Sequence, residues 1–329
     1  MATIKDVSEL AGVSVATVSR ALNNSGYVSE KSRRKVEQAV KALDFVPNEV
    51  ARTLYHKKSK MVGLLVPDIS NPYFTSLASG AEDALSNKGY GLLLGNVQDD
   101  MDKTIYYVRN FEQNNVAGIL ATSPNVTDLV HGTPVMNIDR ISNDTNIGVH
   151  SDDYQGGVIA GQAIADRNPG NVVVMVGPKY LKIAQDRLAG TLFALDAREV
   201  TYQLFQTKSY RVEDAAETID QLFSKYPQMT SIIATNDIYG ALIIKEAFKR
   251  GIDVPNQLQV LGYDNSSFGG LVYPGLSTIN QPAYDVGYIG ATLLMKNIEN
   301  QQIDKTIVKL PVNLVLRESL RERVEESYE

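Results

Sequence analysis

Carboxylate, amide, guanidinium and aromatic side chains recur directly after short apolar runs in residues 61–329. Planar polar groups of this kind form paired hydrogen bonds with neighbouring hydroxyls, and aromatic rings cover the C–H face of a sugar. The residues concerned are Asp68, Asn71, Tyr73, Phe74, Asp139, Arg187, Asn236, Asp237 and Asp264. Their types and positions predict a binding site for a small sugar.

Each of these residues also has a purely structural interpretation. Asp68, Asn71, Asn236 and Asp237 stand where a side-chain oxygen often caps the first turn of a helix. Tyr73 has the size and polarity of a residue that packs in a core. The residue types alone leave the two interpretations open.

The same sequence offers little to a catalytic mechanism. No motif pairs an acid with a base, and none arranges a serine, a histidine and an aspartate for nucleophilic attack. Cysteine is absent, and His56, His131 and His150 are far apart in the sequence, which argues against thiol chemistry and a zinc site. Neither a glycine-rich dinucleotide motif nor a phosphate-binding loop is present. We therefore expect no enzymatic activity, no metal and no cofactor.

The segments that must position the polar side chains alternate between apolar runs and amphipathic stretches. The runs predict strands at residues 61–66, 91–95, 118–122, 135–139, 172–176, 202–206, 231–234 and 259–262. The amphipathic stretches predict helices at residues 72–88, 103–114, 157–165, 187–197, 212–223, 240–250 and 284–299, and strands follow at 306–315. Such alternation indicates parallel sheets covered by helices, and its two series indicate two lobes. Ligands of α/β sheets bind beyond the carboxyl ends of the strands, where the polar residues lie.

A different pattern occupies residues 1–46. Residues 4–11, 15–23 and 30–43 carry apolar side chains at helical spacing, and Gly12 suits the turn after the first helix. The outer face of the second helix combines small or hydroxyl side chains with one long cation: Val15, Ala16, Thr17, Ser19 and Arg20. This surface suits a major groove, where methyl groups contact thymine and arginine pairs with guanine. An ordinary helical hairpin is the alternative interpretation.

Net charge divides unevenly along the chain. Residues 1–60 carry eleven Lys or Arg and six Asp or Glu, a net charge of plus 5. Because the whole chain has a net charge of minus 6, residues 61–329 carry minus 11. A basic head on an acidic body indicates a nucleic-acid-binding segment attached to a separate globular domain.

The run TIKDVSELAGVSVATVSRALNNSGYVSEKSRRKVEQAVKALDFVPNEVARTL resembles the head of a LacI/GalR-family transcriptional repressor, and the similarity extends almost to the end of the chain. The resemblance implies an all-α helix-turn-helix head and a two-lobed α/β body with the periplasmic-binding-protein-like fold. It also implies a homodimer that reads both halves of a near-palindromic, double-stranded operator. Val15, Ala16 and Arg20 are then the expected base contacts. The residues expected near the DNA backbone are Thr3, Ser14, Thr17, Ser19 and Asn23.

Between the head and the body, residues 47–60 resemble the hinge of this family. Their single apolar turn is too short to form a stable helix alone, so we expect it to fold when two copies pair on DNA. Leu54 matches the leucine that enters a minor-groove step, and Arg52 lies beside it. The alternative is that Leu54 is a linker residue that packs on the body.

These features divide the chain into a helix-turn-helix domain (1–46), a hinge (47–60) and an effector-binding and dimerisation domain (61–329). The first lobe is expected at 61–159 and 280–311, and the second at 160–279 and 312–329. Three crossings, near 160, 279 and 312, would join the lobes into a clamp that closes on a ligand. By resemblance, the RLAG motif at Arg187 and the GYDN motif at Asp264 match positions that hold the effector. The charged end lacks the leucine heptads that would pair dimers into tetramers.

The resemblance therefore implies a sequence-specific DNA-binding repressor of a sugar-utilisation operon, switched by a small sugar such as ribose or sucrose. Two alternatives stay open: a global catabolite regulator controlled by a phosphorylated carrier protein, and a purine-dependent repressor. A free sugar receptor for transport is disfavoured because residues 1–20 lack a signal peptide. No apolar run is long enough to span a membrane, so we expect a cytoplasmic location. The sequence does not decide whether the effector releases DNA or strengthens its binding.

Overall fold

The computed structural model of the chain describes residues 2–23, 25–45, 59–141, 147–302 and 306–324. These residues form two compact units, one within Met1–Ser59 and one within Lys60–Glu329. The hinge residues Arg52 and Leu54 lie outside the described residues, so their contacts with DNA stay predictions. Among the helices of the described ranges, none is both long and apolar enough to cross a membrane.

The head consists of three helices that surround a small apolar core: α1 (Ile4–Ala11), α2 (Val15–Asn23) and α3 (Glu30–Ala42). Thr3 and Asp6 form a capping box at the start of α1, and Gly12 ends this helix in the left-handed region at φ 62°. One valine from each helix is almost completely buried: Val7, Val18 and Val36. The three predicted helices are thereby confirmed.

The body is built from two series of alternating strands and helices. The first series contains β1 (Met61–Val66), α4 (Pro72–Ser86), β2 (Gly91–Asn96), α5 (Met101–Gln113), β3 (Gly118–Ala121), a 3-10 helix (Pro124–Leu129), β4 (Val135–Ile138) and β5 (Ile147–Ser151). The second series contains α6 (Asp153–Ala165), β6 (Val172–Val176), α7 (Lys182–Asp196), β7 (Tyr202–Gln206), α8 (Ala215–Lys225), β8 (Ser231–Ile233), α9 (Asp237–Lys249), β9 (Gln259–Asp264), a 3-10 helix (Ser267–Gly270) and β10 (Ser277–Asn280). The chain continues through α10 (Ala283–Ile298), β11 (Thr306–Leu310) and β12 (Asn313–Val315).

The described strands form two sheets, with the spatial orders β11-β5-β4-β3-β1-β2 and β12-β10-β9-β8-β6-β7. Neighbouring strands run parallel, except that β12 is antiparallel to β10. In the first sheet, α4 and α10 pack on one face and α5 on the other. In the second sheet, α8 and α9 pack on one face and α6 and α7 on the other. The predicted α/β body with parallel sheets in two lobes is thus confirmed.

The first crossing between the lobes lies earlier than the sequence predicts. α6 begins at Asp153 and packs against α7 and the second sheet, so residues 152–159 belong to the second lobe and the expected boundary near 160 is wrong. The cause is a cap: Asp152 accepts a hydrogen bond from Gln155 N at 3.1 Å, whereas the apolar periodicity becomes clear only later in the helix. Asn280 also belongs to the second lobe, because it is the last residue of β10.

Two further helices start at least three residues earlier than predicted. α7 begins at Lys182, so Arg187 lies in its second turn instead of opening it. α9 begins at Asp237, because Asn236 caps it by accepting a hydrogen bond from the Tyr239 amide. The apolar pattern does not predict β5, whose five residues IGVHS contain no uninterrupted apolar run.

Candidate functional site

The predicted base-contacting residues share an outer face of α2. Val15, Ala16 and Arg20 are exposed there, whereas Val18 is buried in the core of the head. Ser14 accepts a hydrogen bond from the Thr17 amide at 3.2 Å, so it caps α2 as predicted. α2 therefore presents two small apolar side chains and one arginine to the outside.

The residues expected near the DNA backbone take part in hydrogen bonds within the head. The Thr3 hydroxyl donates to Asp6 Oδ2 at 2.9 Å, and Asn23 donates to Ser19 Oγ at 3.4 Å. These contacts fix the helix ends, and the proposed DNA contacts of the same residues stay predictions. Tyr27, which lies between α2 and α3, was not among the predicted residues and is 89% exposed.

In the body, a cavity lies between the two lobes at the carboxyl ends of their sheets. The residues that line it come from both lobes: Asn71, Tyr73, Phe74, Asp139, Arg140, Ile183, Arg187, Tyr210, Thr235, Asn236, Asp264 and Gln281. The cavity thus brings together the predicted sugar-binding residues except Asp68 and Asp237. Their roles in binding stay predictions.

The first-lobe wall of the cavity joins two aromatic rings to an aspartate and an arginine. Tyr73 Oη donates to Asp139 Oδ1 at 2.6 Å, and the Tyr73 and Phe74 rings meet edge to face with centroids 5.1 Å apart. The guanidinium carbon of Arg140 lies 5.7 Å from the centroid of the Phe74 ring, and its Nη1 donates to Asp99 at 2.5 Å. Burial raises the pKa of Asp139, despite the neighbouring Arg140 and Tyr73.

Two polar atoms of this wall lie close together without a hydrogen bond between them. Arg140 Nε is buried without a hydrogen-bond partner among the described residues, and it lies 3.9 Å from Asp139 Oδ2. A hydroxyl between them could accept from the guanidinium and donate to the carboxylate. Asp139 also has φ 64°, a left-handed conformation that costs a non-glycine residue roughly 1 kcal/mol or more and that often occurs at functional sites.

The second-lobe wall is centred on Arg187. Its Nε donates to Asp153 Oδ1 at 2.7 Å, and its guanidinium carbon lies 4.0 Å from the centroid of the Tyr263 ring. Burial alone would lower the pKa of Arg187, but the Asp153 carboxylate and other nearby groups raise it well above its usual value. Burial raises the pKa of Asp153 to about 6, against the opposing effect of Arg187. Arg187 is therefore a permanent cation in a fixed orientation.

Asp264 and Gln281 close the wall near the second crossing between the lobes. Gln281 Nε2 donates to Asp264 Oδ1 at 2.6 Å, and burial raises the pKa of Asp264 to about 8. Gln281 Oε1 and Thr235 Oγ1 are buried without hydrogen-bond partners within the described ranges. Because an unsatisfied buried polar atom costs roughly 1–3 kcal/mol, these atoms favour a ligand that supplies their missing partners.

Two predicted site residues do not line this cavity and form hydrogen bonds within the protein. Asp68 accepts hydrogen bonds from the amide and hydroxyl of Ser70, which shapes the loop before α4. Asp237 is 1% exposed and accepts from the Ser266 amide and the Thr278 hydroxyl, both at 2.6 Å. Neither residue is among those that line the cavity, and their roles in binding stay predictions.

For Asn71 and Asn236, the two interpretations hold together. Asn71 accepts from the Tyr73 amide at 3.0 Å and caps α4, and Asn236 accepts from the Tyr239 amide at 3.0 Å and caps α9. Both residues also line the cavity. Using the side-chain oxygen for the cap leaves the side-chain nitrogen as the donor, and Asn236 Nδ2 already donates to Tyr210 O at 3.4 Å.

Several lining residues were not among the sequence candidates: Arg140, Ile183, Tyr210, Thr235 and Gln281. Arg140 and Thr235 directly adjoin the candidates Asp139 and Asn236 at strand ends, so the strand-end rule could have included them. Asp153, the partner of Arg187, had no signal, since it lies 34 residues away in the sequence.

The cavity has the composition of a binding site. In the described residues, no group of three or more His, Asp or Glu side chains is placed to hold a metal ion. Two guanidinium groups, two carboxylates and three aromatic rings surround the space, and several of their polar atoms are paired only with one another. Such an arrangement can grip hydroxyl groups in a defined orientation.

Comparison with known proteins agrees with both parts of the structure. Residues 3–48 match the family model described as bacterial regulatory proteins, lacI family, and residues 171–320 match the periplasmic binding protein-like domain. The Ribose operon repressor of Bacillus subtilis (strain 168) is 44% identical over 98% of this chain and 99% of its own length. The chain belongs to the lacI family. The family model describes regulatory proteins, and the relative that matches along nearly the whole chain is an operon repressor. This chain is therefore a DNA-binding transcriptional regulator.

Two solved structures of the family support the fold. One is a periplasmic binding protein/LacI transcriptional regulator from Alkaliphilus metalliredigens QYMF complexed with D-xylulofuranose; it is 29% identical, covers 80% of this chain and 100% of its own, and has a TM-score of 0.72. The other is the Lac repressor dimer bound to operator and the anti-inducer ONPF, with 23% identity, 98% and 99% coverage and a TM-score of 0.85. The second similarity supports the fold alone.

Proposed function

We propose that this chain is a cytoplasmic, homodimeric repressor of a ribose-utilisation operon, and that D-ribose in the interlobe cavity releases it from its operator. One observation carries the ligand class: residues that line the cavity from both lobes have buried polar atoms without hydrogen-bond partners in the described ranges. They comprise a donor at Arg140 Nε, an acceptor at Gln281 Oε1 and the hydroxyl of Thr235, within the described part of the chain. A polyhydroxylated ligand supplies a partner for each.

Charge balance favours a neutral sugar over a sugar phosphate. Arg140 is paired with Asp99 at 2.5 Å and Arg187 with Asp153 at 2.7 Å, so neither guanidinium has unbalanced charge. Asp139 adds another carboxylate to the cavity wall. A phosphate would meet little positive potential there, whereas hydroxyls can pair with carboxylates and guanidinium groups alike.

The head supplies the DNA-binding half of the proposal. Val15, Ala16 and Arg20 would read base edges in the major groove, and the hinge residues Arg52 and Leu54 would act in the minor groove. Exposure of the three α2 side chains supports this assignment. Because the operator lies on the chromosome, the proposed location is the cytoplasm.

Exposed apolar side chains in the second lobe support the homodimer. Phe248 on α9 is 83% exposed, and Leu271 and Tyr273, which follow the 3-10 helix packed on α9, are 79% and 92% exposed. Aromatic residues such as Phe248 and Tyr273 are enriched at protein–protein contact surfaces. A second copy of the chain would bury them and place two heads on two half-sites.

The direction of the switch follows from the use of the operon. A repressor of genes for using a sugar is effective only if that sugar lifts the repression. D-ribose must then bind more tightly to the body conformation that does not hold the two heads on the operator. In this proposal the chain binds ribose without transforming it, so it is not an enzyme.

A thermal-shift screen tests the ligand. Purified full-length protein is melted with ribose, sucrose, fructose, galactose, their phosphates, hypoxanthine or guanine, each at a high concentration. A ligand at a hundred times its Kd stabilises the folded state by about 2.7 kcal/mol, and we expect this for ribose but not for ribose 5-phosphate. Stabilisation by a purine alone would favour the purine-dependent repressor. No shift with any compound would favour control by a carrier protein.

An operator-binding measurement tests the head. DNA fragments selected from a random pool by the purified protein provide the specific site. Arg20→Ala should weaken binding to that site by roughly 1–3 kcal/mol while leaving ribose affinity unchanged, because one bidentate guanine contact is lost. Lys41→Ala, on α3, serves as a control for loss of one positive charge. Equal losses of DNA and ribose binding in Arg20→Ala would mean that Arg20 is structural.

A further inference from the structure

Arg187 is held on two sides before any ligand binds. Its Nε donates to Asp153 at 2.7 Å, and one face of its guanidinium lies over the Tyr263 ring, 4.0 Å from the centroid. The side chain is only 13% exposed, in the wall of the cavity. The two terminal nitrogens are therefore the atoms left to meet a ligand, and the Asp153 contact decides where they point.

Asp153 stands at the place where the chain first passes from one lobe to the other. It is 5% exposed and is the first residue of α6, directly after β5 of the first sheet has ended at Ser151. The preceding residue, Asp152, donates its amide to Leu310 O at 2.9 Å, where the last strand of the first sheet also ends. Asp153 thus adjoins a backbone hydrogen bond that joins the first and third crossings.

Close helix packing makes Asp153 and Arg187 move together. A Cβ on Gly157 of α6 would lie 2.0 Å from the Arg187 carbonyl oxygen, and one on Gly190 of α7 would lie 2.0 Å from the Tyr154 carbonyl oxygen. Only glycine lets the two backbones approach so closely, which leaves α6 and α7 little freedom to slide. A shift of Arg187 toward a ligand is therefore transmitted to the start of α6.

We propose that Asp153 is a positioning residue that aims Arg187 at the ligand and couples occupation of the cavity to the crossing between the lobes. This inference rests on the proposed function for the identity of the ligand. It deepens that function, because it assigns the connection between the binding site and the lobe movement to one buried ion pair at the first crossing. Coupling of this kind requires an element with two arrangements that the ligand biases.

The charged and titratable groups around Asp153 define its pH range. Arg187 and Asp186 face it from α7, Asp139 from the end of β4, and Tyr263 from β9. Tyr73 and Tyr210 complete the surroundings from the cavity wall. Because burial raises the pKa of Asp153 to about 6, the ion pair is intact at pH 7 and is lost by protonation toward pH 5. Ligand affinity should therefore fall over that interval.

Isothermal titration with D-ribose tests the positioning role. Asp153→Asn keeps the shape of the side chain but removes its charge, so affinity at pH 7 should fall roughly ten- to a hundredfold. Between pH 7 and 5 the wild-type affinity should fall, whereas Asp153→Asn should lose this dependence and Asp153→Glu should retain it. Asp152→Asn, which keeps a side chain able to cap α6, should match the wild type. Wild-type affinity or an unchanged pH profile in Asp153→Asn would overturn the proposal.

A distance measurement tests the coupling without any ligand. The chain contains no cysteine, so spin labels at Lys88→Cys in the first lobe and Ala197→Cys in the second are unique. Without ribose, Asp153→Asn should broaden the distance distribution or shift it, because the ion pair that fixes the first residue of α6 at the crossing has lost its charge. Superimposable distributions would overturn the coupling. If the wild-type chain does not bind ribose, ribose is the wrong ligand, and the distance comparison alone decides the role of Asp153.

Discussion

Each lobe presents to the cavity an arginine that lies against an aromatic ring and pairs with an aspartate, but the two arginines are anchored differently. In the first lobe, Arg140 lies 5.7 Å from the Phe74 centroid and pairs with Asp99. The Asp99 side chain is 30% exposed in the loop between β2 and α5, and Arg140 Nε has no hydrogen-bond partner among the described residues. Arg140 therefore has one N–H group that could donate to a ligand, and water can replace its partner Asp99.

The second-lobe arginine has neither property. Arg187 uses its Nε on Asp153, whose side chain is only 5% exposed at the first crossing between the lobes. The combination of an arginine, an aromatic ring and an aspartate thus has a different role in each wall. The first-lobe unit is suited to contacting the ligand, and the second-lobe unit is suited to contacting the ligand and moving the crossing.

Removing the guanidinium groups should give the largest difference between the lobes. Arg187→Ala leaves a buried carboxylate alone, so we expect ribose binding to be lost and the body to be destabilised by roughly 3–5 kcal/mol. Arg140→Ala should also weaken ribose binding, but its effect on stability should be smaller because water can solvate Asp99. Calorimetry and urea denaturation measure both quantities. Equal losses of stability in the two variants would contradict the comparison.

Tyr73→Phe examines the aspartate of the first-lobe wall. The Tyr73 hydroxyl donates to the buried Asp139 at 2.6 Å, so Tyr73→Phe should lower the free energy of unfolding by roughly 1.5–3 kcal/mol. Tyr107→Phe, on α5 away from the cavity, provides the matched loss of a hydroxyl. Denaturant titration of the two variants checks the prediction, which fails if they lose the same stability.

The raised carboxylate pKa values predict how stability depends on pH. Burial raises the pKa of Asp264 to about 8 and that of Asp153 to about 6, against about 3.9 in an unfolded chain. The folded body therefore binds protons more tightly than the unfolded chain between these values, and its stability falls as pH rises from about 4 to 8. We expect the Tm to decrease across pH 5–9.

Asp264→Asn should reduce the pH dependence of the Tm by a few degrees, chiefly above pH 6. Asp102→Asn, in the exposed first turn of α5, is the control for loss of one carboxylate. Melting curves in buffers of matched ionic strength measure the effect. A wild-type slope in Asp264→Asn would mean that Asp264 does not hold a proton in the folded body.

The smallest effect is expected from Asp99→Asn. The Asp99 side chain is 30% exposed, so water can replace part of the contact that Arg140 loses. Ribose affinity should change less than tenfold, in contrast to Asp153→Asn. Titration calorimetry of both variants at pH 7 makes this comparison. A loss as large as that of Asp153→Asn would remove the distinction between the two arginines.

Local patterns were sufficient to predict most of the fold. β6 (Val172–Val176) and β7 (Tyr202–Gln206) match the predicted strands to the residue, because an apolar or alternating run marks each one. β5 was missed because its residues do not form such a run. The first crossing was misplaced because the cap at Asp152 precedes the clear apolar periodicity of α6.

The site was less predictable, because its contacts join distant parts of the chain. The pattern of polar residues after strands identified Asp139 and Asp264, and the family resemblance favoured Arg187. The pattern of polar residues could not separate these residues from Asp237, whose partner Thr278 lies 41 residues away in the sequence. The same limit applies to Asp153 and Arg187, whose pairing depends on how α6 packs on α7.

The most direct test of the account joins the head to the cavity. Fluorescence anisotropy of a labelled, selected operator fragment is measured with wild-type protein and with Arg187→Ala, each titrated with D-ribose. We predict that both proteins bind the fragment, and that ribose weakens binding by the wild type at least tenfold while leaving Arg187→Ala unaffected. An equal response of both proteins, or no response of the wild type to ribose, would contradict the proposal that this cavity controls DNA binding.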